Sequence, residues 1–215
     1  MRLRPHLEAD RRPGPRPVPL DPGGGARRPG RSTAPIRPIR KREFDVLAGA
    51  YPYYRGRWTY MSEACRIAAD LIDRRGLRTA LELGPHVRSI IVGADVMDRK
   101  ALPDLVTEGR LTVHDATAAP WPFADKSYDL FVALQVFEHL GSRQREAFAE
   151  ARRIARHAIV SLPIDWVMED PSHSHHGISH ERALSWFSPI EPTRVVVGNP
   201  GSRKRLIYVF EDLPA

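Results

Sequence analysis

The stretch Ala80 to His86, which reads A-L-E-L-G-P-H, constrains the fold more than any other part of this chain of 215 residues. Its first four residues form a short apolar run that ends at Gly84 and Pro85. A buried strand that ends in a glycine turn leaves backbone N–H groups exposed, and a ligand can approach closely because glycine has no Cβ. The stretch therefore predicts a ligand site at Gly84.

Strand-like and helix-like patterns alternate on both sides of this stretch. Before it, Ser62 as N-cap and Gly76 as terminator bound a predicted helix with one apolar stripe. Strands are predicted at residues 77–83, 94–97, 111–114, 129–134 and 158–163, helices at residues 102–108, 143–156 and 180–187, and a hairpin that pairs residues 194–197 with residues 206–210. Residues 87–92 have little room for a full helix and predict a short helical turn or an extended loop. The alternation predicts an α/β fold, a Rossmann-like, mostly parallel sheet with helices on both faces and a C-terminal antiparallel hairpin.

Several predicted strands are followed by residues that suit a ligand site. Gly84, Asp98, Asp115 and the segment 135–139 each come at or just after the end of a strand. Ligands of parallel α/β sheets bind outside the carboxyl ends of the strands. We therefore expect these positions to converge on one edge of the sheet.

Positive charge is concentrated in the first 42 residues. They hold 12 of the 33 Lys and Arg but 3 of the 26 Asp and Glu, together with 9 of the 20 Pro and 5 of the 15 Gly. Such a composition buries too little apolar surface to offset the entropy of ordering, so residues 1–42 are predicted to be a disordered basic arm. Residues 43–215 are predicted to form a single domain, with an N-terminal helical lid at residues 43–76 and a Rossmann-like core at residues 77–215. The aromatic segment 44–60 fits a cover over a pocket and a hydrophobic plug equally well.

Composition also bears on partners and compartment. A basic arm can bind phosphates, but this arm has no aromatic residues to stack on bases, so a solvated extension is favoured and a nucleic-acid partner is not expected. No apolar stretch after Met1 resembles a secretory signal, and none is long enough to span a bilayer, so no membrane partner is expected. The single Cys65 excludes an internal disulfide and a cysteine-based metal site. We expect a soluble, cytoplasmic protein, and its oligomeric state is left open.

Four blocks of the sequence resemble the class I S-adenosylmethionine-dependent methyltransferases, in particular the methyltransferase type 11 group. The blocks read L-E-L-G-P, D-V-M-D, L-T-V-H-D-A-T-A-A-P-W-P-F-A-D-K-S-Y-D-L and F-V-A-L-Q-V-F-E-H-L. The last two are the more specific, and the resemblance extends over about residues 78–187. It implies a methyltransferase with S-adenosylmethionine as its cofactor.

The resemblance also implies roles for individual residues. The implied cofactor-binding residues are Glu82, Gly84, Pro85, Asp98, Asp115, Ala116 and Gln135. In the family pattern, Asp98 accepts hydrogen bonds from the ribose hydroxyls, with Asp95 as the alternative if the strand runs earlier, and Asp115 accepts from the adenine amine. A carboxylate suits both tasks because it only accepts hydrogen bonds.

The chain departs from the family at the glycine turn. The family usually has two or three glycines there, whereas this chain has a shortened and atypical turn in which Gly84 is followed by P-H-V. Because proline removes a donor and fixes φ, the loop must take a different path around the methionine carboxylate. Arg57, Tyr60 and Arg88 are candidates to replace the missing contacts. The departure keeps open a non-catalytic, methyltransferase-like binding or scaffold protein.

Four histidines lie within residues 173–180, after the fifth predicted strand. In the family this loop often faces the acceptor, so we assign His176 and His180 to the substrate side as candidate general bases, with His139 near the transferred methyl group. A solvated loop is an equally favoured interpretation. A metal site is less favoured because the spacing H-x-H-H-x-x-x-H fits no zinc pattern with a clear mechanism, and no metal ligand is assigned.

The expected function is methyl transfer to oxygen or nitrogen of a small organic acceptor. Residues 44–60, the loop around Trp121 and residues 173–180 are expected to build the acceptor pocket. The alternatives are the scaffold protein and an RNA methyltransferase that uses the basic arm. A nicotinamide-dependent oxidoreductase is disfavoured because no G-x-G-x-x-G opens a helix here.

Overall fold

The structure is a computed structural model that describes residues 35–201 and 203–214. Its strands are β1 (Arg37–Pro38), β2 (Ala80–Leu83), β3 (Ile91–Val92), β4 (Asp95–Asp98), β5 (Leu111–Val113), β6 (Tyr128–Leu134), β7 (Ala155–Pro163), β8 (Arg194–Asn199) and β9 (Arg205–Phe210). Its helices are α1 (Lys41–Ala50), α2 (Trp58–Arg75), α3 (Gln144–Ile154) and α4 (His180–Phe187), with short 3₁₀ helices at Pro52–Tyr54 and Phe137–His139.

Seven strands form one sheet in the order β5-β4-β2-β6-β7-β9-β8. The first five are parallel, whereas β9 lies antiparallel between β7 and β8. Leu83 of β2 is in register with Met97 of β4 and Ala133 of β6, so these strands end at nearly the same level. The predicted fold class is therefore confirmed. The carboxyl ends of the parallel strands form the edge at which a ligand site is expected.

Helices cover both faces of the sheet. Along β6, Phe131 and Ala133 belong to the core that includes α3 and α4, whereas Leu130 and Val132 belong to the core that includes α1 and α2. Side chains alternate between faces along a strand, so a strand covered on both sides buries every position. This burial explains why the strands appear in the sequence as continuous apolar runs.

The helices before the sheet begin earlier than predicted. The sequence pattern misses α1, in which Phe44 packs against Trp58 with ring centroids 4.8 Å apart. α2 starts at Trp58 and includes Ser62, whose hydroxyl donates to the carbonyl of Thr59 at 3.0 Å instead of capping the helix. Gly76 ends α2 with a φ of +63°, as predicted. Among the described residues, no helix is both long and apolar enough to cross a membrane.

The ordered domain begins before residue 43. β1 pairs antiparallel with β3, and Ile36 and Ile39 beside it are 3% and 4% exposed. Apolar burial together with strand pairing stabilises this segment, so the end of the predicted arm is placed too late in the chain. The rest of the predicted disordered arm, residues 1–34, lies outside the described residues.

Residues 102–108 do not form the predicted helix. The hydroxyl of Thr107 donates to the carbonyl of Ala94 at 3.0 Å and accepts from the amide of Gly109 at 3.1 Å. The amide of Val106 donates to the carbonyl of Val87 at 2.7 Å. The amide of Val106, which a helix would pair with a carbonyl of the same segment, is thus paired outside it. The segment packs instead along residues 87–92, which form an extended loop that includes β3.

Candidate active site

A cavity of about 740 Å³ opens at the carboxyl ends of β2, β4, β5 and β6, and we call it the strand-end cavity. Five residues predicted to bind a cofactor line it, namely Gly84, Asp98, Asp115, Ala116 and Gln135. The parallel strands bring them together because each lies at or just after the end of a strand. The volume falls within the range of about 300–1,000 Å³ that is usual for small-molecule sites.

Gly84 ends β2 in a conformation and a space that only glycine fits without strain. Its φ is +62°, and a Cβ built there would lie 3.0 Å from Cγ2 of Val136. The turn that follows is held by Tyr54, whose hydroxyl donates to the carbonyl of Pro85 at 2.9 Å and accepts from the amide of Val87 at 3.2 Å. The aromatic segment before α2 thus supports the loop that follows the atypical glycine turn.

Two carboxylates line the strand-end cavity, each with one uncommitted oxygen. Oδ1 of Asp98 accepts from the amide of Lys100 at 3.2 Å. Oδ1 of Asp115 accepts from the amide and the hydroxyl of Thr117, both at 2.8 Å, and these bonds hold the pKa of Asp115 below its ordinary value. Within the described part of the chain, neither Oδ2 forms a hydrogen bond. Each is therefore available to a donor group of a ligand.

Asp95, the alternative to Asp98, lies at the opposite end of β4. Its Oδ1 accepts from the amide of Arg110 at 2.9 Å, and its Oδ2 accepts from the hydroxyl of Tyr128 at 2.9 Å. Both oxygens are engaged, and the residue does not line the strand-end cavity. Of the two carboxylates, Asp98 is the one placed for a ligand.

Glu82 and Pro85, also predicted to contact the cofactor, do not line the strand-end cavity. Glu82 is 2% exposed, and its Oε2 accepts from the hydroxyl of Ser89 at 2.5 Å and from the amide of Ile90 at 2.7 Å. Burial raises the pKa of Glu82 to about 7. Because side chains alternate along β2, Glu82 lies on the face covered by α2, where it holds the loop that leads into β3.

A second cavity, of about 720 Å³, lies beside the first. Four arginines line it, namely Arg55, Arg57, Arg203 and Arg205, and we therefore call it the arginine cavity. Tyr53, Gln135 and His139 line both cavities, so the two cavities meet at these residues. Among the residues that the structure describes, none of the four arginines forms an ion pair with Asp or Glu. The wall of this cavity thus carries positive charge without a local acidic partner.

Arg205 is held in place from three directions. Its guanidinium carbon lies 4.5 Å from the ring centroid of Tyr60 and 4.6 Å from that of Trp166, and its Nε donates to Oε1 of Gln135 at 3.0 Å. Burial lowers the pKa of Arg205, but an arginine side chain stays protonated in proteins. Its other nitrogens form no hydrogen bond within residues 35–201 and 203–214. A fixed guanidinium with free N–H groups suits a carboxylate or a phosphate.

A stack of side chains joins the segment before α2 to the glycine turn. The rings of Tyr53 and His86 lie 4.2 Å apart with an interplanar angle of 5°, and the guanidinium of Arg57 lies 3.8 Å from the ring centroid of Tyr53. Of the residues suggested to replace the contacts of the missing glycines, Arg57 lines a cavity, whereas Tyr60 is buried and Arg88 pairs with a glutamate of α1.

Glu138, His139 and His175 form a cluster at the junction of the cavities. Nε2 of His175 lies 3.3 Å from Nε2 of His139 and 3.5 Å from Oε1 of Glu138. Burial raises the pKa of Glu138 to about 8 and lowers the pKa of His175 to about 4, and it also lowers the pKa of His139. Glu138 and His175 are therefore both neutral near pH 7, and their contact is not an ion pair.

His176 and His180, the predicted general bases, line neither the strand-end cavity nor the arginine cavity. Nδ1 of His176 accepts from a backbone amide at 3.1 Å. The ring of His180 stacks on Tyr208, with Nδ1 3.0 Å from the tyrosine hydroxyl. His180 is thus committed to the fold, whereas His176 lines a third cavity, of about 350 Å³, together with Glu138 and His139. His175 is the histidine of this loop whose ring nitrogen contacts that of His139.

The loop around Trp121 does not line the acceptor side either. Trp121 is 2% exposed, and its Nε1 donates to the carbonyl of Ala116 at 3.1 Å. It packs in the core with Phe131, with ring centroids 5.8 Å apart. The loop therefore supports the wall of the strand-end cavity from inside the protein.

Several residues of the arginine cavity are absent from the sequence predictions, notably Trp166, Arg203 and Arg205. One signal was available for the arginines. The run R-K-R comes directly before the last predicted strand. In an antiparallel strand next to β7, the start of the strand lies at the same edge as the end of β7. No comparable signal marks Trp166.

Comparison with known proteins supports the resemblance seen in the sequence. Residues 78–158 match the family model described as a methyltransferase domain. No match was found among curated proteins. Among solved structures, the citrinin polyketide synthase CMeT domain is similar with a TM-score of 0.50 and 13% identity, over 80% of this chain and 60% of that chain.

Two further solved structures are similar in fold. A SAM dependent methyltransferase from Aquifex aeolicus aligns with a TM-score of 0.48 and 11% identity, over 80% of this chain and 97% of that chain. The N-methyltransferase NodS from Bradyrhizobium japonicum WM9, solved in complex with S-adenosyl-L-homocysteine, aligns with a TM-score of 0.49 and 16% identity, over 77% of this chain and 90% of that chain. Residues 78–158 therefore match a methyltransferase domain, a family that uses S-adenosylmethionine, and the described part of the chain has the Rossmann-like fold of such enzymes.

Proposed function

We propose that this methyltransferase transfers a methyl group to an oxygen or nitrogen atom of a small organic acceptor that carries a carboxylate or phosphate group. The observation that carries the acceptor class is the arginine cavity, whose four guanidinium groups have no acidic partner within the described residues. Unpaired guanidinium groups attract anions and disfavour cations. The volume of about 720 Å³ suits a small molecule.

The strand-end cavity fits the methyl donor. At the end of β2, Gly84 lines the cavity with backbone that carries no side chain. The free Oδ2 atoms of Asp98 and Asp115 suit the ribose hydroxyls and the adenine amine, because each of these donors needs an acceptor. Ala116 and Gln135 complete this wall. S-Adenosylmethionine supplies an electrophilic methyl group, whose transfer forms a C–O or C–N bond, breaks the S–C bond and leaves a thioether.

The arginine cavity orients the acceptor. Arg205 offers free N–H groups from a fixed position, so it can bind an anionic group and turn the rest of the acceptor toward the junction of the cavities. Trp166 and Tyr53 contribute flat aromatic surface to the same wall. Because holding two reactants in the right geometry lowers the barrier, this orientation is the main contribution of the protein to methyl transfer.

His139 lies where the acceptor must lose a proton. It lines both cavities, so an acceptor hydroxyl or ammonium group at the junction comes within reach of its imidazole. We assign to His139 and its neighbour His175 the activation of the acceptor for attack on the methyl group. Residues 43–76, through Tyr53 and Arg57, form the cover over this junction.

A panel of matched acceptors tests the proposal. The purified chain is incubated with S-adenosylmethionine and with pairs of hydroxylated or aminated aromatic acids and their neutral amides, and release of S-adenosylhomocysteine is measured. We expect kcat/KM for the acids to exceed that for the amides by about tenfold or more, as for loss of a charged hydrogen bond. Equal or better turnover of the neutral amides, or methylation of RNA alone, would contradict the proposed acceptor class.

A further inference from the structure

We propose that Glu138, His139 and His175 bind one divalent transition-metal ion at the junction of the strand-end and arginine cavities. Each residue offers one ligand atom, and the three atoms lie within 4.8 Å of one another. Two imidazoles and one carboxylate form a ligand set that proteins use for zinc and for iron(II), with further positions open to water or substrate.

The distances suit a common metal ion. Nε2 of His175 lies 3.3 Å from Nε2 of His139 and 3.5 Å from Oε1 of Glu138. Tetrahedral ligands with bonds of about 2.1 Å to one ion are separated by about 3.4 Å. Two of the three edges of the ligand triangle therefore already have the expected length.

Glu138 gives an independent reason to expect a cation. Its side chain is 0% exposed, and within the described residues neither of its carboxyl oxygens has a hydrogen-bond partner. A buried carboxyl group without a partner is costly, and buried polar atoms are nearly always paired. A metal ion beside Oε1 would satisfy this group, and no other cation of the described residues pairs with it.

The hydrogen bonds of His139 favour the same arrangement. Its Nδ1 lies 2.9 Å from the hydroxyl of Ser174, so in the tautomer that carries its proton on Nδ1 this N–H donates to Ser174 and Nε2 keeps its lone pair. Metal-binding histidines usually donate their second N–H to such a partner, which fixes the ring and the tautomer. In that tautomer, Nε2 of His139 faces Nε2 of His175 at 3.3 Å, so either a proton on His175 or a metal ion can bridge the two nitrogens.

This site would define how the acceptor is activated. That consequence rests on the proposed function, whereas binding of the metal does not. An acceptor oxygen on an open position of the ion would lose its proton more readily, because a divalent cation stabilises the oxyanion. His139 and His175 would then act as ligands of the metal rather than as free bases.

Metal titration of the untagged, full-length chain tests the inference. After dialysis against EDTA, the protein is titrated with Co²⁺, followed by visible absorption, and with Zn²⁺, followed by calorimetry. We expect one equivalent of each ion to bind. Loss of an outer-shell partner of a metal typically weakens binding by about 10- to 100-fold, so loss of a ligand in Glu138→Gln or His175→Ala should weaken it by more than about 100-fold.

The control is His114→Gln, which removes a histidine whose Nε2 contacts the carbonyl of Ala118 and which belongs neither to the cluster nor to the lining of the two cavities. Its metal affinity should equal that of the unmodified chain, and circular dichroism should show all variants folded. Absence of binding to the unmodified chain, or equal binding by Glu138→Gln and His175→Ala, would overturn the site. A chain that binds metal but not S-adenosylmethionine keeps the site and refutes the proposed function, and the reverse result refutes the site alone.

Discussion

Nε of Arg205 donates to Oε1 of Gln135 at 3.0 Å, a bond that ties the start of β9 to the end of β6. The backbone of Gln135 has a φ of +59°. Its side chain is held by a hydrogen bond in which Nε2 donates to the hydroxyl of Ser161 at 3.2 Å. Gln135 lines both cavities. A residue in the wall of the donor site thus sets the position of the guanidinium that we assign to the acceptor.

Replacement of Arg205 by glutamine should impair use of an anionic acceptor. We expect kcat/KM for an acidic acceptor to fall by about 10- to 100-fold, because a charged hydrogen bond contributes about 1.5–3 kcal/mol. Affinity for S-adenosylhomocysteine, measured by calorimetry, should stay unchanged. Arg66→Gln is the matched control, since Arg66 lies on the outer face of α2 in an ion pair with Glu63. An equal loss with a neutral acceptor would point to a structural role for Arg205 instead.

Asp98→Ala and Asp115→Ala should each weaken donor binding. Loss of an acceptor for a buried polar group of the ligand costs about 1–3 kcal/mol. Calorimetric titration with S-adenosylmethionine measures the change, and Asp73→Ala on the exposed surface of α2 serves as the control. Unchanged affinity in both cavity variants would remove these residues from the donor site.

Gly84→Ala should disturb both stability and donor binding. An L-residue with positive φ costs about 1–2 kcal/mol, and the new Cβ would lie 3.0 Å from Cγ2 of Val136. Gly141→Ala separates the two effects, because Gly141 has a φ of +64° with nothing within 4 Å of a Cβ. Urea denaturation should show a loss of stability in both variants, the larger loss in Gly84→Ala because its Cβ also crowds Val136. Only Gly84→Ala should also lower affinity for the donor, and an equal drop in Gly141→Ala would argue against a close approach at Gly84.

Glu82 should make stability depend on pH. Its pKa is raised by burial from the ordinary 4.5 to about 7, so the folded state binds more protons than the unfolded state between these values. The free energy of unfolding therefore falls as pH rises through this window, by up to about 3 kcal/mol. Glu82→Gln keeps an oxygen to accept from Ser89 and Ile90 but cannot ionise. Urea denaturation at pH 5 and pH 8 should show a smaller loss for Glu82→Gln, and identical losses would refute the assignment.

Much of the fold could be predicted because buried parallel strands leave a strong local signal. The run before Gly84 is apolar because β2 is covered on both faces, and Gly76 ends α2 by a local backbone preference. α1 gave no such signal, since its first turn is charged and its stability comes from Phe44 packing against Trp58. The burial of Ile36 and Ile39 could not be predicted for the same reason, because it depends on contacts with residues distant in sequence.

The residues of the candidate site likewise fall into some that could be predicted from the sequence and some that could not. Gly84, Asp98, Asp115, Ala116 and Gln135 are gathered by a general rule of parallel sheets, and the sequence alone identifies them. The choice of His175 over His176 could not be predicted. The two are neighbours in one loop, and His175 lies in the arginine cavity whereas His176, whose Nδ1 accepts from a backbone amide, lines a different one. Arg205 depends on the insertion of β9 between β7 and β8, a long-range pairing that no local pattern encodes.

Because β9 is antiparallel to β7, its start brings residues from a late stretch of the chain to the edge where the parallel strands end. Apart from Tyr53, the residues that line the strand-end cavity lie between Leu83 and Leu140, whereas the guanidinium groups of Arg203 and Arg205 in the arginine cavity arrive with the hairpin. Under the proposed function, substitutions at the start of β9 would alter which molecules are methylated and leave most of the strand-end cavity intact. Exchange of this hairpin would then be a direct route to new substrates for this chain.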